Sequence, residues 1–170
     1  MILGFLLLWV GAVLFLNGLW LMGKIEDREI VVINIVSGLV ATAVAVQSAF
    51  GPGADAGSIR AAALTLLFAT TYLWVAYNRL TQVDGRGLGW FSFFVALTLV
   101  PVILRAYAAA SSGGEIWLAT NWLIWAVLWF MYFLLLALGR PILKQTAWAT
   151  VFAGIFTGWV PGILLLDGMM

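Results

Sequence analysis

The chain contains no histidine and no cysteine, and only 9% of its 170 residues are charged, eight Lys and Arg against seven Asp and Glu. The missing residue types remove the commonest general base, the usual transition-metal ligands and any disulfide or thiol chemistry. A soluble domain carries roughly 25% charged residues, so the shortage of charge excludes that class as well. A net charge of +1 without any basic run excludes a nucleic-acid partner, whose affinity rests on clustered Lys and Arg meeting phosphates. No Ser/His, Cys/His, paired-carboxylate or metal-ligand arrangement exists to carry an enzyme. Neither a cofactor nor a metal is expected.

What is present is apolar: 65% of the residues, with a mean hydropathy of +1.12. This composition is that of a membrane protein. Six uncharged stretches run from Met1 to Gly23, Ile30 to Gly53, Ala61 to Asn78, Gly87 to Leu104, Ile116 to Gly139 and Gln145 to Leu166. Each, at about 18 to 24 residues, suffices for one helical crossing of a hydrocarbon core of about 30 Å. The expected fold is therefore an all-α bundle of six transmembrane helices forming one domain, residues 1–170. The first stretch lacks a positive leading region and a convincing cleavage site, and reads as a retained helix. Short connectors marked by Gly, Pro and charge separate the helices. Lys24, Arg28, Arg79, Arg86, Arg140 and Lys144 share one set of connectors, whereas only Arg60 and Arg105 fall in the other. The first set is thus expected in the cytoplasm, with both termini outside.

Odd and even helices differ, which suggests three helical hairpins. Helices one, three and five carry the aromatic and amide positions, and helices four and six carry Pro101 and Pro161 near the outer end. Each proline frees a backbone carbonyl that a neighbour has to satisfy.

No Asp, Glu, Lys or Arg lies in the central part of any helix. Charges at membrane depth mark ion paths, proton relays and voltage sensors, and cost at least about 2.5 to 3.5 kcal/mol to hold there. None of those functions has its residues here. The polar groups at depth are neutral: Asn17, Asn34, Gln47, Thr65, Thr70, Thr71, Tyr72, Asn121 and Thr157. Gly4, Gly11 and Gly18 repeat every seven residues and form a smooth line for close helix approach. On an adjoining face Leu7, Val10, Leu14 and Asn17 make an apolar line ending in one amide.

Helix five places Trp122, Trp125 and Trp129 at i, i+3 and i+7 within "NWLIWAVLWFMYF". Tryptophan in membrane proteins favours the two interfaces, a role that suits Trp117 and Trp148. Trp125 and Trp129, however, lie roughly 13 and 20 Å below an outer boundary near Ile116, where an indole N–H finds no water unless its face turns inward. On helix three, Thr65, Phe68 and Tyr72 repeat the same spacing with a polar tip at mid-depth. The two stripes either line one narrow passage or form an aromatic core whose N–H and O–H groups meet backbone carbonyls.

Over essentially its whole length the chain resembles the AmiS/UreI family of amide and urea channels. The resemblance is carried by "LGFLLLWVGAVLFLNG", "TYLWVAYN", "VDGRGLGWFSFFVALTLVP", "WLIWAVLWF" and "TGWVPGILLL", in that order and spacing. It implies six helices per protomer, a solute path through each protomer, and a homo-hexameric ring with lipid in the middle, set in a bacterial inner membrane. It implies that a tyrosine and two tryptophans, Tyr72, Trp125 and Trp129 here, line the path. Leu7, Val10, Leu14, Asn17, Phe68 and Leu128 match its other lining positions, with Trp122 beside them. Acid-gated members carry external histidines and a glutamate in the last helix. This chain has no histidine, a short first external loop "GPGADAGSIR", and Ala153 at the aligned position. It is therefore similar to the branch without acid gating, associated with amides.

The function so implied is passive passage of short-chain aliphatic amides, urea, or both toward a cytoplasmic amidase or urease. Leu7, Leu14, Phe68 and Leu128 are expected to strip the solute and exclude hydrated ions. The faces of Trp125, Trp129 and Tyr72 would sandwich it, and their N–H and O–H groups with the Asn17 amide would replace its water. The alternatives are a non-conducting membrane scaffold, in which the stripes are packing surface, and a proton-coupled carrier, which ordinarily needs a titratable group at depth.

Overall fold

The computed structural model describes residues 1–170 as helices and turns, without a strand. Six helices are long and apolar enough to cross a membrane: α1 (Ile2–Leu21), α2 (Ile30–Phe50), α3 (Ala56–Thr81), α4 (Arg86–Ala109), α5 (Gly113–Leu136) and α6 (Leu143–Leu166). Each overlies one of the uncharged stretches. α3 and α5 begin earlier than those stretches because their connectors carry helix starts. Asp55 accepts from the Ser58 N–H at 2.7 Å while the Ser58 hydroxyl accepts from the Asp55 N–H at 2.8 Å. Ser112 and Glu115 form the same reciprocal cap, and Glu115 also accepts from the Ser111 N–H. Each cap satisfies donors that a helix N-terminus leaves open.

The helices do pair closely, but not simply in chain order. α2 packs against α3 and α4 against α5, each a hairpin closed on the side of the bundle that holds the termini, and α1 packs against α6 to join the two ends of the chain. Glycine explains the third pair. A Cβ on Gly4 would lie 2.9 Å from the Leu165 Cβ, one on Gly18 would lie 2.8 Å from the Val151 N, and one on Gly11 would enter the backbone of Gly158 and Trp159. The opposing Gly154, Gly158 and Gly162 meet α1 backbone in the same way. The seven-residue glycine line of α1 thus faces a four-residue glycine line of α6, and the two backbones approach as only small residues permit.

α6 is not a regular α-helix throughout: Gly154–Trp159 forms a π-helical turn just before Pro161. Widened turns expose carbonyls, and Pro161 has no N–H to offer the Thr157 carbonyl four residues back. α5 supplies the missing donors. Trp117 Nε1 donates to the Phe156 carbonyl at 2.9 Å, Asn121 Nδ2 to the Thr157 carbonyl at 3.2 Å, and Trp125 Nε1 to Thr157 Oγ1 at 2.7 Å. Positions 117, 121 and 125 are spaced by four, so one edge of α5 clips onto the turn of α6. Trp117 is therefore tied into the bundle as well as near its end, whereas Trp148 is exposed.

Candidate functional site

Four helices converge on the core. α1 contributes Leu7, Val10, Leu14 and Asn17, and α3 contributes Phe68 and Tyr72. α5 contributes Trp125, Leu128 and Trp129; all nine side chains are buried. α4 closes the side with Val95 and Leu99, and Trp122 packs against the cluster half-buried. Eight of those nine side chains form one buried apolar cluster, and Asn17 borders a cavity together with Leu14, Tyr72 and Trp129.

Three cavities lie in series along that axis. The outer one, about 110 Å³, is bounded by Leu7, Val10, Thr65, Phe68, Trp122 and Trp125. The middle one is about 20 Å³ and is bounded by Leu14, Asn17, Thr71, Tyr72, Ser92 and Trp129. The inner one, about 40 Å³, lies among Trp20, Asn78, Arg79, Gly85 and Leu136. Val75, Leu88 and Tyr132 border both the middle and the inner cavity. Leu128 borders none of the three; it is buried in the packing around them. No acidic side chain borders any of them, and the one cation is Arg79 at the inner mouth.

Phe68 separates the outer from the middle cavity. Its ring meets Trp125 at 5.1 Å and Trp129 at 4.8 Å between centroids, edge to face in both cases. The sequence suggests rings lining an open gap; here the gap is filled by Phe68. Edge-to-face pairs are worth about 0.5–1.5 kcal/mol each beyond burial, so displacing the ring from both costs about 1–3 kcal/mol.

The hydrogen-bonding of the site differs from what the sequence suggests. Both buried indole N–H groups are engaged, Trp125 with Thr157 and Trp129 with Thr71 Oγ1 at 3.1 Å. The two threonine hydroxyls in turn donate to the carbonyls of Ala153 and Leu67. These tryptophans offer the axis their ring faces, not their N–H groups. Asn17 is paired as well: its Nδ2 donates to Asn34 Oδ1 at 3.1 Å, and Asn34 Nδ2 donates back to Asn17 Oδ1 at 2.7 Å. The Tyr72 hydroxyl, by contrast, is buried in the middle cavity with no protein partner.

Asn78, Ser92 and Tyr132 border the cavities but do not stand out in the sequence. A signal for Tyr132 was present, since Trp122, Trp125, Trp129, Tyr132 and Leu136 continue one stripe by steps of three and four. Tyr132 is bonded to Thr150 at 3.0 Å and fastens α5 to α6. At the inner mouth, Trp20 Nε1 donates to Asp27 at 2.7 Å, and the Arg79 guanidinium lies 5.3 Å from the indole centroid. A larger concavity, about 390 Å³, is elsewhere, an apolar groove between α1 and α6 walled by Leu8, Trp9, Ala12, Phe15, Leu16 and Trp159. It offers a polar solute nothing.

Known proteins resemble the chain in sequence and in fold. The chain is 40% identical to a protein of Mycolicibacterium smegmatis provisionally named an amidate substrates transporter, over 95% of this chain and 75% of that protein. It is 34% identical to an acid-activated urea channel of Helicobacter pylori, over 96% of each. The crystal structure of the urea channel from H. pylori superposes with a TM-score of 0.86 at 33% identity, covering 99% of this chain and 98% of that one. The model of one family, the AmiS/UreI family transporters, matches residues 2–169. A multi-pass membrane protein with these relatives and these six helices belongs to the AmiS/UreI family, among transporters and not enzymes.

Proposed function

We propose that the chain is a passive channel for small neutral amides: short-chain aliphatic amides such as acetamide, urea, or both. The observation that carries this reading is the row of three cavities through the bundle, almost free of charge, with the Phe68 ring packed between the outer and the middle one. A planar amide has a large dipole and no net charge. Its barrier in lipid is the loss of hydrogen bonds, at about 2–7 kcal/mol for each group left unpaired. The outer cavity takes the solute between apolar walls at Leu7 and Val10 and the ring of Trp122. Phe68 swings aside, the solute slides against the faces of Trp125 and Trp129, and the Tyr72 hydroxyl replaces part of its lost water. A hydrated ion gains no such compensation, and nothing on the axis at mid-depth can carry a proton.

The same reading places the channel in a bacterial inner membrane with its basic end in the cytoplasm, as a single six-helix unit within a ring of six. It feeds a cytoplasmic amidase or urease, with no acid gate. Stopped-flow shrinkage and reswelling of proteoliposomes tests it. Urea and acetamide are expected to re-enter faster than through protein-free vesicles, with no ionic current across planar bilayers. Equal rates would leave the scaffold alternative standing, and unitary currents would exclude the channel described here.

A further inference from the structure

We infer that Asn78 forms a second solute-binding station, on the inner side of Tyr72, which selects solutes presenting an N–H and a carbonyl on the same edge. The inference rests on the channel reading above and adds a specificity determinant to it. Asn78 lies on α3 at 3% exposure, and its Oδ1 is buried without a partner. The side chain borders the inner cavity of about 40 Å³, with Nδ2 facing Gly85. Gly85, at φ 80°, brings the α3–α4 turn against the carboxamide and adds no side chain to fill the space. A buried amide oxygen without a partner is uncommon, because leaving it so is costly.

The structure itself contains the bond that such an amide would make. Asn17 and Asn34 pair reciprocally, each carboxamide donating one N–H and accepting one, at 3.1 and 2.7 Å. That pairing consumes the edge of Asn17. Asn78 presents the same edge unpaired, and a primary amide or urea is the complement of that edge. Tyr72 and Asn78 are six residues apart on one helix, about 9 Å along its axis, so the two groups act on a solute one after the other. A polyol lacks the paired donor and acceptor. A secondary amide in its ordinary trans form points its N–H away from its carbonyl, and it also fails to pair.

Methylurea and N-methylacetamide are nearly equal in size, yet only the first keeps an N–H beside its carbonyl. In proteoliposomes of the wild-type protein, after subtraction of protein-free flux, methylurea is expected to enter about tenfold faster. In Asn78→Leu and in Asn78→Ser the ratio is expected to fall to about twofold or less. An unchanged ratio in both variants, with acetamide flux retained, would overturn the role of Asn78 and leave the channel reading intact. Absence of acetamide flux in the wild type would overturn both. A measurement on the unaltered protein guards against misfolded variants. In solid-state NMR of proteoliposomes, the side-chain amide 15N signal of Asn78 should move with acetamide and not with N-methylacetamide. No movement with acetamide overturns the inference.

Discussion

The faces that α5 and α3 turn to the axis look alike as sequence, two aromatic stripes at i, i+3 and i+7, each with polar atoms at mid-depth. They differ in what their polar atoms do. On α5 the N–H groups of Trp117, Trp125 and Trp129 and the Asn121 amide nitrogen are spent on α6 and on Thr71. On α3 the Tyr72 hydroxyl and the Asn78 carbonyl have no partner and their side chains border a cavity, whereas the one such atom on α5, Asn121 Oδ1, belongs to a side chain that borders none of the three. One helix is a wall fixed by its own hydrogen bonds; the other offers a path its unspent ones. Aromatic residues and polar residues in a stripe therefore do not suffice to mark a solute site. What marks it is a buried donor or acceptor left open beside a cavity.

The largest effect should come from destroying the frame that both faces share. Gly158→Leu drives a side chain into the α1 backbone at Gly11; it should abolish recovery of folded protein, read as loss of the monodisperse peak in detergent chromatography. Tyr72→Phe removes only the open hydroxyl. It should leave the protein folded and reduce urea and acetamide flux about tenfold, which corresponds to one hydrogen bond of about 1.4 kcal/mol. A flux equal to wild type would take the hydroxyl out of the path. Thr157→Val breaks the tie between Trp125 and the π turn. It should lower the unfolding midpoint by an amount matching about 0.6–2 kcal/mol while flux changes less than about twofold. Reversal of these two outcomes would reverse the assignment of wall and path.

The smallest effect expected is that of pH. Backbone hydrogen bonding by Ser58 holds the Asp55 carboxyl below the usual aspartate range, and that by Arg86 does the same for Asp84. Because the folded values are depressed, the stability these hydrogen bonds contribute at both sites is fully present above about pH 4, the ordinary aspartate value, and is lost as pH falls through the folded values. Urea flux should accordingly be flat from pH 5 to 8. A steep rise toward pH 5 would point to an acid gate that these residues do not supply.

The number of helices, their limits to within a few residues, and the residues gathered on the axis were legible because apolar length and helical period are local properties of the chain. The glycine line of α1 was legible as a close-approach surface, though its partner on α6 was not. The caps at Asp55 and Ser112 were written in the connectors as D-x-x-S and S-x-x-E, hidden only by their loop-like composition. The closure of the gap by Phe68, the capture of Asn17 by Asn34 and the two threonines that silence Trp125 and Trp129 were not legible. Each joins residues on different helices, 17 to 61 positions apart in the chain.

By itself the sequence determined that this protein lives in a membrane, crosses it six times, keeps charge out of its interior and carries rings and neutral amides there, because those are matters of composition and period. Only the tertiary structure decided which of those polar atoms are spent and which are free. Inside a membrane a side-chain donor that its own helix does not satisfy has to find an acceptor on another, and which one it reaches depends on the docking of whole helices, set here by glycine contacts between α1 and α6 and by a widened turn in α6.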